Sequence, residues 1–306
     1  MEQNKIRTYL ALNGAVIFWG LSFVATKMAL ESFPTFTLVF ARFMLASCFF
    51  LTLMLYKGFP SFTRKEHGKL LLIALFEPGL YFIFETLGLQ YTTAPKASLI
   101  IATVPLAVTA LAAGFLGERT NTATIAGIAL SLAGIAVLIA GDPQFSWSLK
   151  GSLSGDLLIF GAVISAAFYM ICARELGQKH SATDITGLQI IYGALLFVPA
   201  FLWELPEIKW SAITVRSAGA LIYLTLFATV AGFICYNYAL TQISASRASI
   251  FINAIPVVTA VGAAVMLGER LTLIQICGGA VVLSGVCLAN FPGFRETAEK
   301  HLEVRT

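Results

Sequence analysis

Two carboxylates and a phenol recur at regular intervals inside one long apolar stretch of the sequence. Glu77, Tyr81 and Glu85 are spaced four residues apart, so a helix would carry them on one face. A carboxyl group in a poorly hydrated cavity can bind an ammonium group or exchange a proton. We therefore predict a binding site on this face, in which Glu77, assisted by Glu85, recognises a substrate amino group or a coupling proton. Alternatively, the carboxylates only neutralise nearby cations such as Arg42 and Lys27.

Arg42 is the candidate cation for the same site. It lies about two helical turns into another apolar stretch. A guanidinium in hydrocarbon is costly unless it is paired or hydrated, so Arg42 should face the protein interior. Two interpretations stay open. Arg42 either anchors a substrate carboxylate or gates the outer mouth through an ion pair, or it forms a purely structural salt bridge with Glu77 or Glu85.

Weakly polar and aromatic residues in other apolar stretches extend the candidate site. Trp19 and Ser22 follow one stripe of the first stretch. This stripe either lines a cavity or packs against neighbouring helices, with serine bonded to the preceding backbone. The remaining candidate ligands are Tyr169, Tyr236 and Asn253.

Two prolines mark candidate hinges. Pro105 and Pro256 each remove a hydrogen bond from a helix and free a carbonyl one turn earlier. Both helices should therefore kink at matching depths. The freed carbonyls could line the cavity together with Asn253, or the kinks could act as hinges without ligand contact.

The stretches that carry these residues belong to a chain too apolar to form a water-soluble globule. Of 306 residues, 58% are hydrophobic and 12% charged, and the mean hydropathy is +0.83. A helix of about 20 apolar residues crosses the hydrocarbon core and satisfies its own backbone hydrogen bonds. We predict an all-α membrane protein with ten transmembrane spans, numbered one to ten in chain order. They cover residues 8–30, 36–56, 68–90, 95–116, 122–140, 155–174, 184–203, 217–240, 246–267 and 272–291.

A duplication relates the two halves of the chain. Residues 88–135 and 239–286 are identical at 17 of 48 aligned positions, 151 residues apart, and Pro105 falls on Pro256. We predict two five-span repeats, 8–141 and 155–291, followed by a cytoplasmic tail at 292–306. Five crossings make the second repeat enter from the opposite face, so the repeats are inverted. Such carriers place their site near the midplane between the repeats.

The predicted charges are not duplicated with the scaffold. By the same alignment, Glu77 corresponds to Ala228 and Glu85 to Tyr236, and the counterpart of Arg42, displaced by 147 residues, is Gln189. Pro78 weakens the helix next to Glu77. Unduplicated charge on a duplicated scaffold indicates specialisation for a ligand.

Glycines repeat in the fifth and tenth spans. Gly127 and Gly134 align with Gly278 and Gly285, and the members of each pair lie seven residues apart. Small residues on one helical face permit close helix contact. We expect packing within each half, or a dimer seam.

Lysine and arginine set the orientation. With the N-terminus in the cytoplasm, thirteen of these residues lie on the inner side and five on the outer side. The positive-inside rule therefore predicts cytoplasmic N- and C-termini. Topology accounts for the net charge of +4, and no basic patch indicates nucleic acid.

The duplicated unit, Trp19-Gly20, Arg42, the two prolines and the two Leu-Gly-Glu-Arg turns at 116–119 and 267–270 resemble the EamA-type family of the drug/metabolite transporter (DMT) superfamily. The resemblance covers residues 8–291. It implies ten helices, cytoplasmic termini, a central cavity lined by spans one to four of each half, and export of amino acids or other small metabolites. A lipophilic-cation or drug efflux carrier, coupled to protons, is the alternative. In that case Glu77 and the aromatic residues would form an acidic aromatic pocket, with Trp19, Tyr81, Tyr169 and Tyr236.

Other functional classes find little support. The histidines lie in predicted cytoplasmic segments, no nucleophile elbow is present, and no phosphate-binding loop indicates ATP use. We expect a secondary-active transporter and not an enzyme, with no catalytic residue, metal or cofactor. Its partners would be a small-molecule substrate and the lipid bilayer, together with a proton if transport is proton-coupled. We expect it in the plasma membrane of a bacterial or archaeal cell, and substrate, direction and oligomeric state stay open.

Overall fold

The structure is a computed structural model, and it describes residues 2–91, 100–118, 120–141, 153–267 and 271–290. In these ranges every regular element is helical. The α-helices are Glu2–Ala29, Thr35–Lys57, Arg64–Ala74, Tyr81–Tyr91, Val104–Phe115, Thr122–Ala140, Leu153–Leu176, Ala182–Glu204, Val215–Tyr223, Gly232–Gln242, Ala245–Ile250, Ile255–Leu267 and Leu273–Asn290.

The helices confirm a multi-span membrane protein. Within the described residues, eight helical segments are long and apolar enough to cross a membrane. Two shorter apolar helices, Val104–Phe115 and Leu273–Ala289, fall in the fourth and tenth predicted spans. The tail at 292–306 and the second Leu-Gly-Glu-Arg turn beyond Leu267 lie outside the described residues.

Side-chain caps fix where several spans begin. Thr63 and Glu66 form a reciprocal capping box ahead of the third span. Asn121, Ser181 and Thr214 each accept a hydrogen bond from the first turn of the following helix. Caps of this kind satisfy backbone N–H groups that a helix leaves unpaired at its start. Polar residues therefore mark the edges of spans whose interiors are apolar.

The third and eighth spans each contain a widened, π-helical turn at equivalent positions. In the third span it covers Leu75–Leu80, and in the eighth it covers Leu224–Ala231. Adding the repeat offset of 151 to the first range gives residues 226–231, which lie inside the second range. Pro78 accounts for the first turn, as predicted, whereas the second forms without proline. We call these the third-span turn and the eighth-span turn.

The fourth and ninth spans are interrupted just before their prolines. Val104–Phe115 begins after a turn at residues 102–103, so that Pro105 is its second residue. In the ninth span, a 3₁₀ segment, Phe251–Ala254, comes directly before the helix that contains Pro256. The expected interruption is thus present at both prolines. Their role as hinges stays a prediction.

The glycines of the fifth and tenth spans hold the two halves together. A Cβ atom on Gly127 would lie 2.6 Å from the carbonyl oxygen of Gly285, and one on Gly134 would lie 3.0 Å from that of Gly278. The helices are therefore in backbone contact, which only small residues permit. Our expectation of packing within each half is wrong, because these matched surfaces fit each other across the halves.

The second and seventh spans run in opposite directions. The second span begins where the seventh ends, since Glu204 accepts hydrogen bonds from the backbone N–H groups of Phe36 and Thr37 at 3.1 and 2.7 Å. At the other end, Lys57 and Ser181 line one cavity where the second span ends and the seventh begins. The second and seventh spans are therefore antiparallel neighbours.

The first Leu-Gly-Glu-Arg turn makes a contact between the halves. Glu118 accepts hydrogen bonds from the backbone N–H of Ala245, at 3.1 Å, and from Ser246 Oγ, at 3.3 Å. Arg174 Nε lies 3.6 Å from the same carboxylate. Glu118 thus caps the start of the ninth span, and this carboxylate joins the fourth, sixth and ninth spans.

Candidate functional site

The third-span turn places Glu77 inside the helix bundle. Its backbone leaves the helical region, with φ −142° and ψ 113°, and the following peptide bond to Pro78 is cis. Glu77 is half-buried and interacts electrostatically with Arg42 and Glu85. The Glu77 carboxylate also interacts electrostatically with the hydroxyl groups of Tyr169 and Tyr236 in the other half. The turn therefore brings one carboxylate to residues from both halves.

Arg42 faces the interior, as predicted, but it pairs with a hydroxyl group. Only 6% of the residue is exposed, and its Nε donates a hydrogen bond of 2.9 Å to Thr229 Oγ1 in the eighth-span turn. The guanidinium carbon lies 5.1 and 5.4 Å from the ring centroids of Phe43 and Phe82. Cation–π attraction and one hydrogen bond therefore hold it in place.

The charged groups of the site interact electrostatically but form no salt bridge with one another among the described residues. Within the described residues, no carboxylate oxygen lies within 4.0 Å of Arg42, although Glu77 and Glu85 both interact with it electrostatically. Arg42 uses one of its five N–H donors, and the others have no hydrogen-bond partner among the described residues. The guanidinium therefore keeps donors for an anionic ligand.

Tyr81 and Glu85 complete the polar face of the third span. Both residues are half-buried. Tyr81 interacts with Glu85 and with Glu77, and Glu85 interacts with Arg42. The predicted cluster of Arg42, Glu77, Tyr81 and Glu85 thus assembles in one place.

Aromatic residues form a wall beside this cluster. Trp19 packs against Phe233 and Tyr236, with ring centroids 5.4 and 5.1 Å apart, and Tyr169 contacts Phe233 at 6.1 Å. The Trp19 Nε1–H donates a 2.9 Å hydrogen bond to the carbonyl of Ala228. The wall consequently joins the first, sixth and eighth spans, and Trp19 also supports the eighth-span turn.

A chain of buried polar side chains, absent from our predictions, reaches the backbone of Glu77. Tyr169 donates to Asn237 Oδ1 at 3.0 Å, and Asn237 Nδ2 donates to Gln189 Oε1 at 3.1 Å. Gln189 Nε2 then donates to the carbonyl of Glu77 at 2.9 Å. Asn237 also donates to Thr186 at 2.9 Å. The only signal in the sequence was the presence of amide side chains inside otherwise apolar spans.

Comparison with known sequences identifies the family. The sequence profile of the EamA-like transporter family matches residues 6–140 and again residues 153–291. The chain belongs to the EamA-like transporter family.

Individual relatives extend over nearly the whole chain of this EamA-like transporter. An uncharacterized transporter of Bacillus subtilis, YetK, is 29% identical over 288 residues, which cover 94% of this chain and 87% of the relative. A "probable amino-acid metabolite efflux pump" of Salmonella typhimurium is 29% identical over 300 residues, 92% of this chain and 93% of the relative. A solved crystal structure shares the fold, with a TM-score of 0.77, 18% identity and coverage of 93% of this chain and 98% of that chain.

Two other predicted ligands of the EamA-like transporter make different contacts. Ser22 donates to the carbonyl of Trp19 at 2.7 Å, which is the local packing bond considered as its alternative. Asn253 is buried and donates to Ser131 of the fifth span at 2.7 Å, while its Oδ1 has no partner among the described residues. The described contacts bring neither side chain to the carboxylates.

Two cavities of this EamA-like transporter lie away from the cluster. One cavity of about 450 Å³ lies on the second span and is lined by exposed residues such as Phe49 and Tyr56. Another, of about 400 Å³, lies between the ends of the second and seventh spans. Neither contains Glu77 or Arg42. The candidate site is therefore defined by its converging charges, hydroxyls and rings.

Proposed function

We propose that this EamA-like transporter is a secondary-active exporter of small polar metabolites, with amino acids as the expected substrates. The observation that carries the proposal is the separation of charge within the cluster: Arg42 donates one hydrogen bond, to Thr229, and among the described residues no carboxylate is paired with it. A zwitterion would offer a carboxylate to Arg42 and an ammonium group to Glu77, with Glu85 nearby. Charge-assisted hydrogen bonds of this kind are stronger than neutral ones.

The substrate class has independent support from the relatives. The name of the Salmonella relative refers to amino-acid metabolites. The aromatic wall of Trp19, Tyr169 and Tyr236 offers an apolar surface to a side chain or carbon skeleton. Glu77 would also exchange the coupling proton, since a carboxyl group in such a site can change its protonation state as the ligand leaves.

Alternating access between two inverted repeats, 8–141 and 155–291, is the proposed mechanism. Three observations support it: the family profile matches twice, the second and seventh spans are antiparallel, and equivalent turns interrupt the third and eighth spans. Inverted repeats make two gates from equivalent parts. The excess of lysine and arginine supports cytoplasmic termini, in a bacterial or archaeal plasma membrane.

Efflux of lipophilic cations is the second candidate. The packing of Trp19, Phe233 and Tyr236 beside Glu77 favours it, since aromatic faces attract quaternary ammonium groups. Arg42 argues against it, because a guanidinium in the same cluster repels a cation that lacks a carboxylate.

Counterflow in proteoliposomes tests the proposal. Vesicles containing the full-length protein are loaded with an unlabelled amino acid, and uptake of the labelled compound is compared with protein-free vesicles. Parallel samples contain the methyl ester of the amino acid or a quaternary ammonium compound. We expect counterflow of amino acids at least ~10-fold above the control, given typical carrier specificity. Counterflow of the quaternary ammonium compound alone would overturn the proposal in favour of the second candidate.

A further inference from the structure

The hydrogen-bond chain that ends at Glu77 has a fixed direction. A backbone carbonyl can only accept, so the Gln189 amide nitrogen must point at the carbonyl of Glu77. The Gln189 oxygen then faces Asn237, which must present its amide nitrogen. Consequently the Asn237 oxygen accepts from the hydroxyl of Tyr169. Each amide orientation follows from the one before it, so neither amide can be reversed alone.

The chain is sealed from solvent. Gln189 is 0% exposed, Tyr169 1% and Asn237 2%. Water cannot replace a lost partner in such surroundings, so loss of one bond leaves a buried polar group unsatisfied. The chain should therefore hold the seventh span and the third-span turn in one arrangement.

The carbonyl of Glu77 lacks its usual helical donor. In a regular helix it would accept from the N–H group of Tyr81, but that group donates to the carbonyls of Phe76 and Pro78. Gln189 takes its place. Gly193, about one turn further along the seventh span, allows close contact, since a Cβ there would lie 2.5 Å from Pro78 Cγ.

The other half supports its own turn in an equivalent way. The carbonyl of Ala228, the counterpart of Glu77, accepts a hydrogen bond from Trp19. A Cβ on Gly232 would lie 2.7 Å from Trp19 Nε1. In each half, one side chain from the opposite half thus caps the opened turn, and a glycine permits the contact.

We propose that Asn237, acting through Gln189, is a positioning residue for Glu77. Asn237 fixes the orientation of the Gln189 amide, and Gln189 fixes the backbone from which the Glu77 carboxylate projects. In this role neither Asn237 nor Gln189 needs to touch the substrate. This inference rests on the proposed role of Glu77 in binding an ammonium group or a proton.

The charged and titratable groups around Glu77 are known from each packed element. They are Arg42 from the second span, Tyr81 and Glu85 from the third, Tyr169 from the sixth and Tyr236 from the eighth. Substitution of Asn237 or Gln189 leaves the charge of all these groups unchanged. A change in the pH profile of transport would therefore report a displaced Glu77.

The test uses Gln189→Met and Asn237→Leu, which keep approximate shape but remove the hydrogen bonds. Ser165→Ala is the control, because Ser165 is buried one turn before Tyr169 and, in the part of the chain that the structure describes, its hydroxyl bonds only to Gly161 of its own helix. Counterflow of an amino acid is measured against pH for full-length protein, normalised to folded protein from gel filtration. We expect the midpoint to move by about half a pH unit or more in both variants, and not in Ser165→Ala. An unmoved midpoint overturns the inference, and either variant suffices if the other does not fold.

A second arm repeats Gln189→Met in a Glu77→Gln background. If Gln189 acts through Glu77, the added substitution lowers the residual counterflow rate by less than about twofold, because coupled residues are not additive. An equal fold-loss in both backgrounds overturns the positioning role. If Glu77→Gln alone leaves the rate and pH profile unchanged, the proposed function of Glu77 fails as well. The two failures are thus distinguished.

Discussion

The third-span turn and the eighth-span turn share a backbone but differ in chemistry. Both open the helix at equivalent positions, and a side chain from the opposite half caps a carbonyl in each. The third span carries Glu77 and Glu85, whereas the eighth carries Ala228 and Tyr236 at the same alignment positions. The comparison teaches that the turn belongs to the shared scaffold. Only one copy carries charge at these positions.

The second and seventh spans show the same division of roles. Arg42 reaches the eighth-span turn through Thr229, and its counterpart Gln189 reaches the third-span turn through the carbonyl of Glu77. Each residue therefore crosses to the opposite half. One of them brings a positive charge, and the other only a neutral amide.

The largest effect should follow from neutralising Glu77. Glu77→Gln makes the third-span turn as uncharged as its counterpart, and we expect ~10–100-fold slower transport, the cost of losing a charge-assisted hydrogen bond. If Glu77 exchanges the proton, the pH dependence of the remaining rate should flatten. Initial rates of counterflow from about pH 5 to 8 measure both effects.

Glu31→Gln is the control for that substitution, because Glu31 is an exposed partner of Arg216 at the bundle surface. It should transport at the unsubstituted rate. Glu85→Gln should give a smaller loss than Glu77→Gln. Equal rates for Glu77→Gln and the control would remove the functional difference between the two turns.

Exchange at Arg42 should have the next largest effect. Arg42→Gln installs the residue of the seventh span and removes the carboxylate anchor, so we expect the KM for an amino acid to rise ~10-fold or more. Arg42→Lys should recover only part of the affinity, since lysine lacks the planar fork of donors. Saturation curves normalised to membrane abundance measure the change. Lost abundance with an unchanged KM would assign Arg42 a structural role.

Substitutions of glycine at the contact between the fifth and tenth spans should destabilise the protein equally, whichever half carries them. A Cβ on Gly134 would lie 2.6 Å from Val282 N, and one on Gly285 would lie 2.6 Å from Ser131 N. Gly134→Ala and Gly285→Ala should each cost about 1–3 kcal/mol. Thermal melting in detergent measures the loss. Gly114→Ala is the control, since no atom lies within 4 Å of its Cβ position; a large loss in one half alone would show an asymmetric scaffold.

The smallest effect is expected at the cap of the uncharged turn. Trp19→Phe keeps an aromatic ring but removes the hydrogen bond to Ala228. Because Ala228 carries no charged side chain, we expect roughly a twofold change in the counterflow rate. A change of this size corresponds to the free energy of one neutral hydrogen bond. The pH profile should not move. A shifted profile would mean that both turns control Glu77.

Much of the fold could be predicted because the length of apolar stretches and the internal repeat are visible in the sequence itself. The hydropathy of the chain indicated helical spans, and Pro78 predicted the opening of the third span. The eighth-span turn carried no such signal, since Thr229 occupies the position of Pro78. Its geometry depends on tertiary contacts with Trp19 and Arg42.

The grouping of the charged residues could be predicted from the sequence, whereas the contacts of the neutral polar residues could not. Arg42, Glu77 and Glu85 could be expected to meet, because isolated charges in apolar spans must turn inward. The partner of Arg42 was not predicted, because a threonine hydroxyl is common in membrane helices. The role of Asn237 was not predicted either, since a single amide residue has no periodicity. The contact of Asn253 with Ser131 depends on the rotation of its helix, which the sequence does not give.

The central claim is that Arg42 binds the carboxylate of a zwitterion and Glu77 binds its ammonium group. The most direct test is to measure the binding of ligands that lack one of these two groups. Calorimetry would compare an amino acid, its methyl ester and its deaminated acid on the unsubstituted protein, Arg42→Gln and Glu77→Gln. The account predicts that Arg42→Gln weakens the amino acid and the acid but leaves the ester unchanged, and that Glu77→Gln weakens the amino acid and the ester but leaves the acid unchanged. Equal weakening of all three compounds by both substitutions would contradict it.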